Sequence, residues 1–126
     1  MGMYTELFVT ARIKDRDNVP QILKYMLEGE GEPDFELPNH PLFQTDRWHF
    51  MLRCTSYYFT PITASALKED PISKNWSFVS YSNFKNYDNE VELFFDWLRP
   101  YVDDEVGTLI GLHRYEEARK PTLVYL

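Results

Sequence analysis

A single cysteine in 126 residues removes internal disulfide bonds from this chain at the outset. Cys54 has no partner for an internal bridge, and no Cys-based zinc site has its ligand set. It falls in a segment that reads as a buried strand, where a small apolar core residue is favoured over a nucleophile. Glycine is nearly as sparse, and five unclustered residues build no phosphate-cradling loop. No GxSxG element occurs, and Cys54 has no histidine paired with it. His40, His49 and His113 share no metal-ligand spacing, and none has a second ligand recurring beside it. Long apolar runs are missing too: no segment approaches the roughly 18 residues of a membrane span. The N-terminus lacks a basic region followed by an apolar stretch, and Met1-Gly2 reads as an addition before a native start at Met3. Positive charge is short, with 13 bases against 20 acids and a formal net charge of −7. That balance argues against direct binding of DNA, RNA or anionic lipid, which needs a concentrated basic face. The expectation is a cytoplasmic, non-enzymatic protein with no metal and no cofactor, suited to a protein partner with a basic surface.

What the chain has in quantity is aromatic side chains: nine Tyr, nine Phe and three Trp. Hydrophobic residues at 44% and charged residues at 26% match ordinary globular usage, so disorder is not expected. The length predicts one domain over residues 1–126, with room for a genuine core. Phe and Trp mostly fill cores. Nine tyrosines also place amphipathic rings near the surface, where they suit strands and interfaces.

Periodicity locates the elements. From Thr5 to Lys14, Leu7, Val9, Ala11 and Ile13 alternate with Glu6, Thr10 and Arg12, which predicts a half-buried strand. Val19, Ile22, Leu23, Met26 and Leu27 make a helical stripe, with Asn18 and Gln21 at capping-box spacing and Gly29 as the stop. Residues 28–46 read as an ordered loop held by Pro33, Pro38 and Pro41 and by apolar anchors such as Leu42 and Phe43. Arg47 to Phe59 reads as a long strand, with Trp48, Phe50, Leu52 and Cys54 on one side and Arg47, His49, Met51 and Arg53 on the other. Ile62 to Leu67 and Trp76 to Lys85 predict two further strands. Asn89 and Glu92 repeat the capping box before a helix with Val91, Phe94, Phe95 and Leu98 inward, ended by Pro100. Thr108 to Tyr115 and Thr122 to Leu126 complete a final hairpin.

The order β-α-β-β-β-α-β-β predicts an α+β fold. Two helices cover one face of a mostly antiparallel sheet, a ferredoxin-like sandwich with an added hairpin. The helices hide only one sheet face. The other is solvated, covered by the long loop, or buried in a partner.

Asn83 to Glu90, Asn-Phe-Lys-Asn-Tyr-Asp-Asn-Glu, is the densest polar stretch and the best candidate site. Asn89 is explained as a cap, and Asp88 and Glu90 suit a helix N-terminus. Asn83, Lys85, Asn86 and Tyr87 have no such local reason. Glu90 projects to the border of the apolar stripe, near Leu93 and Trp97, where a cation such as Lys85, Arg53 or Arg114 is a natural partner. The bland alternative is a strand-to-helix junction whose amides satisfy its own backbone. Arg114-Tyr115-Glu116-Glu117 carries a similar pair of readings: Arg114 is either an edge-strand salt-bridge partner or a bidentate anchor for a carboxylate or phosphate. His49 reads as a partly exposed sheet histidine. Asp103-Asp104-Glu105 and Glu116-Glu117 read as solvated charge runs. The candidate binding residues are thus Arg53, Tyr57, Asn83, Lys85, Asn86, Tyr87, Asp88, Glu90, Arg114 and Glu116, none of them catalytic.

The blocks Met51-Leu52-Arg53-Cys54-Thr55-Ser56-Tyr57-Tyr58-Phe59, Lys85-Asn86-Tyr87-Asp88-Asn89-Glu90 and Arg114-Tyr115-Glu116-Glu117 resemble a family of small uncharacterised proteins of bacteria and their phages. The resemblance runs from Met3 nearly to the end, and its most specific block is the second. It implies a phage or mobile-element setting and brings no activity, cofactor or catalytic residue with it.

Three functions follow as expectations. The first is a small inhibitor or binding protein, directed at a host defence or nucleic-acid-handling protein through an acidic, aromatic surface. The second is a protein that binds a small anionic or nucleotide-like ligand in a polar pocket around Lys85 to Glu90. The third is a structural domain that pairs with itself through the free sheet face.

Overall fold

The alternation at the start of the chain becomes β1 (Tyr4–Ile13), with Thr5, Leu7, Val9 and Ile13 buried and Phe8, Thr10 and Arg12 exposed. The structure is a computed structural model and describes residues 3–126, so the reading of Met1-Gly2 lies outside it. After β1 come α1 (Val19–Glu28), β2 (Ala64–Glu69), β3 (Trp76–Lys85), α2 (Glu90–Leu98), β4 (Leu109–Tyr115) and β5 (Thr122–Tyr125). The strands form one sheet in the order β2-β3-β1-β4-β5, and every neighbouring pair is antiparallel. Without β5 this is the ferredoxin-like β-α-β-β-α-β arrangement. Each helix joins two strands that flank a third, and β5 adds the hairpin strand at the β4 edge.

Register decides which side chains meet the helices. Tyr4 pairs with Lys85 and Ile13 with Trp76, so Leu7, Val9 and Ile13 share a face with Phe78 and Phe84. Both helices pack on that face. Ile22, Leu23 and Met26 of α1 and Val91, Phe94, Phe95 and Leu98 of α2 join one buried cluster with those strand residues. Each fully buried side chain of this size contributes about 1.5–3 kcal/mol relative to exposure.

The segment Arg47–Phe59 is not a strand. It runs through turns and a short 3-10 helix at Met51–Arg53, so the sheet has five strands where six were expected. The apparent alternation concealed another spacing. Trp48, Met51 and Leu52 are the buried residues, at i, i+3 and i+4, which is a helical stripe. His49 and Arg53 therefore do not share a strand face with Arg47. Instead the Arg53 guanidinium donates to the Gly29 carbonyl (2.7 Å) and the His49 carbonyl (3.3 Å), tying this turn to the end of α1. Trp48 extends the wedge across the helix layer: its ring lies 5.8 Å from Tyr25 and 4.9 Å from Phe43, and Phe43 lies 5.3 Å from Trp97 of α2. Cys54 follows the turn, half-buried in extended backbone. Burial pushes its thiol pKa up, partly offset by the Thr55 backbone N–H and the charges of Arg47 and Lys85.

Both capping boxes also fail to form. Asn18 and Asn89 adopt left-handed backbone, with φ of 61° and 58°, and neither side chain caps its helix. Asparagine suits that conformation better than most residues. The capping role at α2 passes to Asn86, whose Oδ1 accepts from the Val91 N–H (3.0 Å) while its Nδ2 donates to Glu92 Oε2 (3.3 Å). One further boundary moves: the strand expected at Ile62–Leu67 is β2 at Ala64–Glu69.

Candidate functional site

β3 outruns β2. Their pairing ends at Ala64 and Tyr81, and the next outward amide, on Asn83, donates instead to the Cys54 carbonyl (3.0 Å). The chain after Cys54 thus continues beside β3 and folds onto the sheet face that the helices leave open. Asn83 fastens it there. Its side chain is fully buried, Oδ1 accepting from Ser56 Oγ (2.6 Å) and Nδ2 donating to the Thr60 carbonyl (3.1 Å). The loop is held at both ends, and Tyr57, Tyr58 and Phe59 form its tip.

The tip and the end of the sheet enclose an open cleft of about 610 Å³, lined by Tyr4, Thr55, Ser56, Tyr57, Tyr58 and Pro61. The Tyr4 and Tyr58 rings lie 6.0 Å apart at 31°. Tyr57 is 94% exposed, Tyr58 61% and nearby Tyr87 51%, which is unusual for rings on an anchored support. Lys85, paired with Tyr4 across the strands, holds its ammonium 5.7 Å from the Tyr4 ring and 6.0 Å from the Tyr87 ring. It makes no ion pair among the described residues. Glu116 closes the other side of Tyr4: its Oε2 accepts the Tyr4 N–H (3.0 Å), and its own N–H donates to the Tyr4 carbonyl (2.9 Å).

Around the cleft the remaining charges are matched. Arg114 donates from Nε to Glu6 Oε1 (2.7 Å) and covers the Phe59 ring at 5.3 Å, while the Tyr81 hydroxyl donates to Glu6 Oε2 (3.2 Å). Arg114 is thus the salt-bridge partner of a neighbouring strand, though β4 is interior to the sheet and β5 is the edge. The partner of Glu90 differs from all three expected cations. Arg47 Nη1 lies 3.9 Å from Glu90 Oε2 and 3.8 Å from Asp88 Oδ2, with its guanidinium 5.0 Å from the Tyr87 ring. Glu90 is fully buried; Oε1 accepts the Asp88 N–H (3.0 Å), and Oε2 has no hydrogen-bond partner.

The candidate residues therefore separate. Tyr57 lines the cleft, with Lys85, Tyr87, Glu116 and the buried Asn83 around it. Asn86, Asp88 and Glu90 organise the start of α2, Arg114 covers Phe59, and Arg53 anchors the turn after α1. Arg53, Lys85, Glu90 and Arg114 do not converge on one pocket. Tyr4, Ser56, Tyr58 and Arg47 were not among the binding residues expected from sequence, because they meet Tyr58, Asn83, Tyr4 and Glu90 respectively only through contacts between residues far apart in the chain. Among the described residues no cluster of His, Cys, Asp and Glu is arranged to hold a metal, and no helix is long and apolar enough to cross a membrane. Neither family models nor curated proteins nor solved structures give a match to this chain.

The tyrosines make stability sensitive to alkali. Burial, then the charge and hydrogen bond of Glu6, push the Tyr81 hydroxyl pKa up; burial and the Asp17 hydrogen bond do the same for Tyr101. A raised folded-state value means the native state holds the proton longer than the unfolded chain. The contribution is full below about pH 10, the ordinary tyrosine range, and is lost as pH rises through the raised values. Urea midpoints should therefore fall above that range, and Tyr81→Phe should flatten the decline. An unchanged slope in Tyr81→Phe would remove Tyr81 as its source.

Proposed function

We propose that this is a non-enzymatic binding protein that recognises a protein partner through the tyrosine-lined cleft. The observation that carries the reading is the exposure of Tyr57 and Tyr58 on a loop pinned by the fully buried Asn83. Large rings held ready at the surface lose little conformational entropy on binding, which is why tyrosine is enriched among interface anchors. The scatter of Arg53, Lys85, Glu90 and Arg114 weighs against a small polar-pocket ligand around the start of α2. The net charge of −7 favours a partner with a basic surface. A phage-borne inhibitor of a host defence or nucleic-acid-handling protein fits that profile.

Affinity capture from a host lysate tests the reading, with the wild-type chain compared against Tyr57→Ser/Tyr58→Ser. Both side chains are exposed, so the double variant should keep the wild-type unfolding midpoint. A stoichiometric partner should accompany the wild type and fall by about tenfold or more in the variant, the scale of losing an anchor residue. A partner retained equally by both chains would place the interface elsewhere.

A further inference from the structure

From the chemistry of the cleft walls we infer a ligand class: a proline-rich peptide segment in the extended polyproline II conformation, with a basic residue at one flank. The inference rests on the reading of this cleft as a protein-binding surface.

The cleft does not suit a small molecule. Such ligands are recognised by burying about 70–90% of their surface, and a wall made of a ring as exposed as Tyr57 does not enclose one. An extended chain needs only a groove. Strand addition is also disfavoured at this end of the sheet, because the Asn83 amide beyond β2 already donates to Cys54. A ligand bound here is therefore held by side chains, not by main-chain pairing.

Proline-rich segments present what these side chains match. A polyproline II helix has no internal hydrogen bonds, proline brings no N–H, and its carbonyls point outward as acceptors. The cleft offers flat rings for pyrrolidine faces and phenolic O–H groups for those carbonyls. Tyr4, Tyr57 and Tyr58 make no hydroxyl hydrogen bond to protein among the described residues, so all three donors are free. Tyr4 and Tyr58 stand with centroids 6.0 Å apart beside Pro61, an aromatic-lined wall of the kind such segments dock against.

Charge sets the flank. Arg47 and Arg114 near the cleft are already engaged by Asp88, Glu90 and Glu6, which leaves Lys85 and Glu116 as the charges beside Tyr4 outside any ion pair among the described residues. Glu116 touches the Tyr4 backbone, while Lys85 lies over the rings of Tyr4 and Tyr87. A basic flank of the peptide is thus favoured toward Glu116 and repelled from Lys85, which gives the ligand a direction.

The test is a titration of the full chain, followed by tyrosine ring resonances and calorimetry. The probe is a synthetic peptide with two Pro-x-x-Pro repeats and one terminal arginine. The expected result is saturable binding with shifts confined to Tyr4, Tyr57, Tyr58 and their neighbours. Replacing the prolines by alanine should weaken binding about tenfold, as should Tyr58→Ala. Tyr58→Phe, which keeps the ring and removes the donor, should give an intermediate loss, and an arginine-to-glutamate peptide should bind more weakly than the parent. Equal binding by the alanine peptide, shifts elsewhere on the protein, or no binding would overturn the ligand class. If the peptide fails while lysate capture still depends on Tyr57 and Tyr58, only this inference falls. If both fail, the protein-binding reading falls with it.

Discussion

Arg47→Met should destabilise the fold by about 3 kcal/mol, because it leaves a fully buried carboxylate without its counter-charge. Arg47 is the only cation within salt-bridge distance of Glu90 among the described residues, at 3.9 Å. Unit charges at that spacing attract by about 4 kcal/mol at an effective dielectric near 20. Partial exposure of Arg47 reduces the figure. What remains to support the Glu90 charge is the Asp88 N–H and the positive end of α2, where Glu90 occupies the first turn. Those two do not replace a guanidinium.

The decisive comparison is with the double variant. Glu90→Met removes the charge that needs a partner, and a buried ion pair replaced by apolar side chains is often near neutral. Arg47→Met/Glu90→Met should therefore be more stable than Arg47→Met alone, giving a strongly non-additive cycle in urea unfolding. Additive effects, or an Arg47→Met variant with wild-type stability, would show that the two groups do not depend on each other.

Gly111→Ala should cost about 3 kcal/mol, at the upper end of overpacking effects. Gly111 pairs with Val9 at the start of the β4 bulge, beneath Phe95 of α2. A β-carbon there would run into the Phe8 carbonyl oxygen and approach Phe95 Cζ to 2.7 Å. The ring has some freedom to move. The carbonyl does not, since it belongs to β1 in the middle of the sheet. Gly31→Ala is the control: its φ of +68° strains an alanine, but nothing lies within 4 Å. The loss there should be nearer 1 kcal/mol, the cost of left-handed backbone. A larger loss at Gly31 than at Gly111 would mean that backbone conformation outweighs the close approach of β1 and α2.

β1 and the two helices were legible because each buries a single face. Leu7, Val9 and Ile13 repeat every second residue, and Val91, Phe94, Phe95 and Leu98 follow the helical period, so pattern and burial agree. Arg47 to Phe59 was misread because Trp48, Met51 and Leu52 sit among Phe50 and Cys54, where a helical stripe mimics an alternating one. The caps were misread for a related reason. Asn89 has the spacing of a cap, but its left-handed backbone takes its side chain out of that role, and Asn86 approaches the helix from the turn before it. Spacing along the chain does not report backbone conformation.

The polar octapeptide shows where the boundary lies. Its density marked a structured junction, and Asn83 and Asn86 indeed spend their amides on the loop and the helix. The cleft beside it could not be read the same way, since Tyr4 meets Tyr58 only after β1 and β3 pair and Asn83 fastens the loop across them. By itself the sequence determined the α+β class, both amphipathic helices, the strands that outline the sheet and the acidic excess, all properties of local order and composition. Only the tertiary structure decided that Glu90 belongs to Arg47 and that Tyr57 and Tyr58 stand exposed at the rim of a cleft. Those facts depend on strand register and on how a loop closes over the sheet, which are set by contacts between residues far apart in the chain.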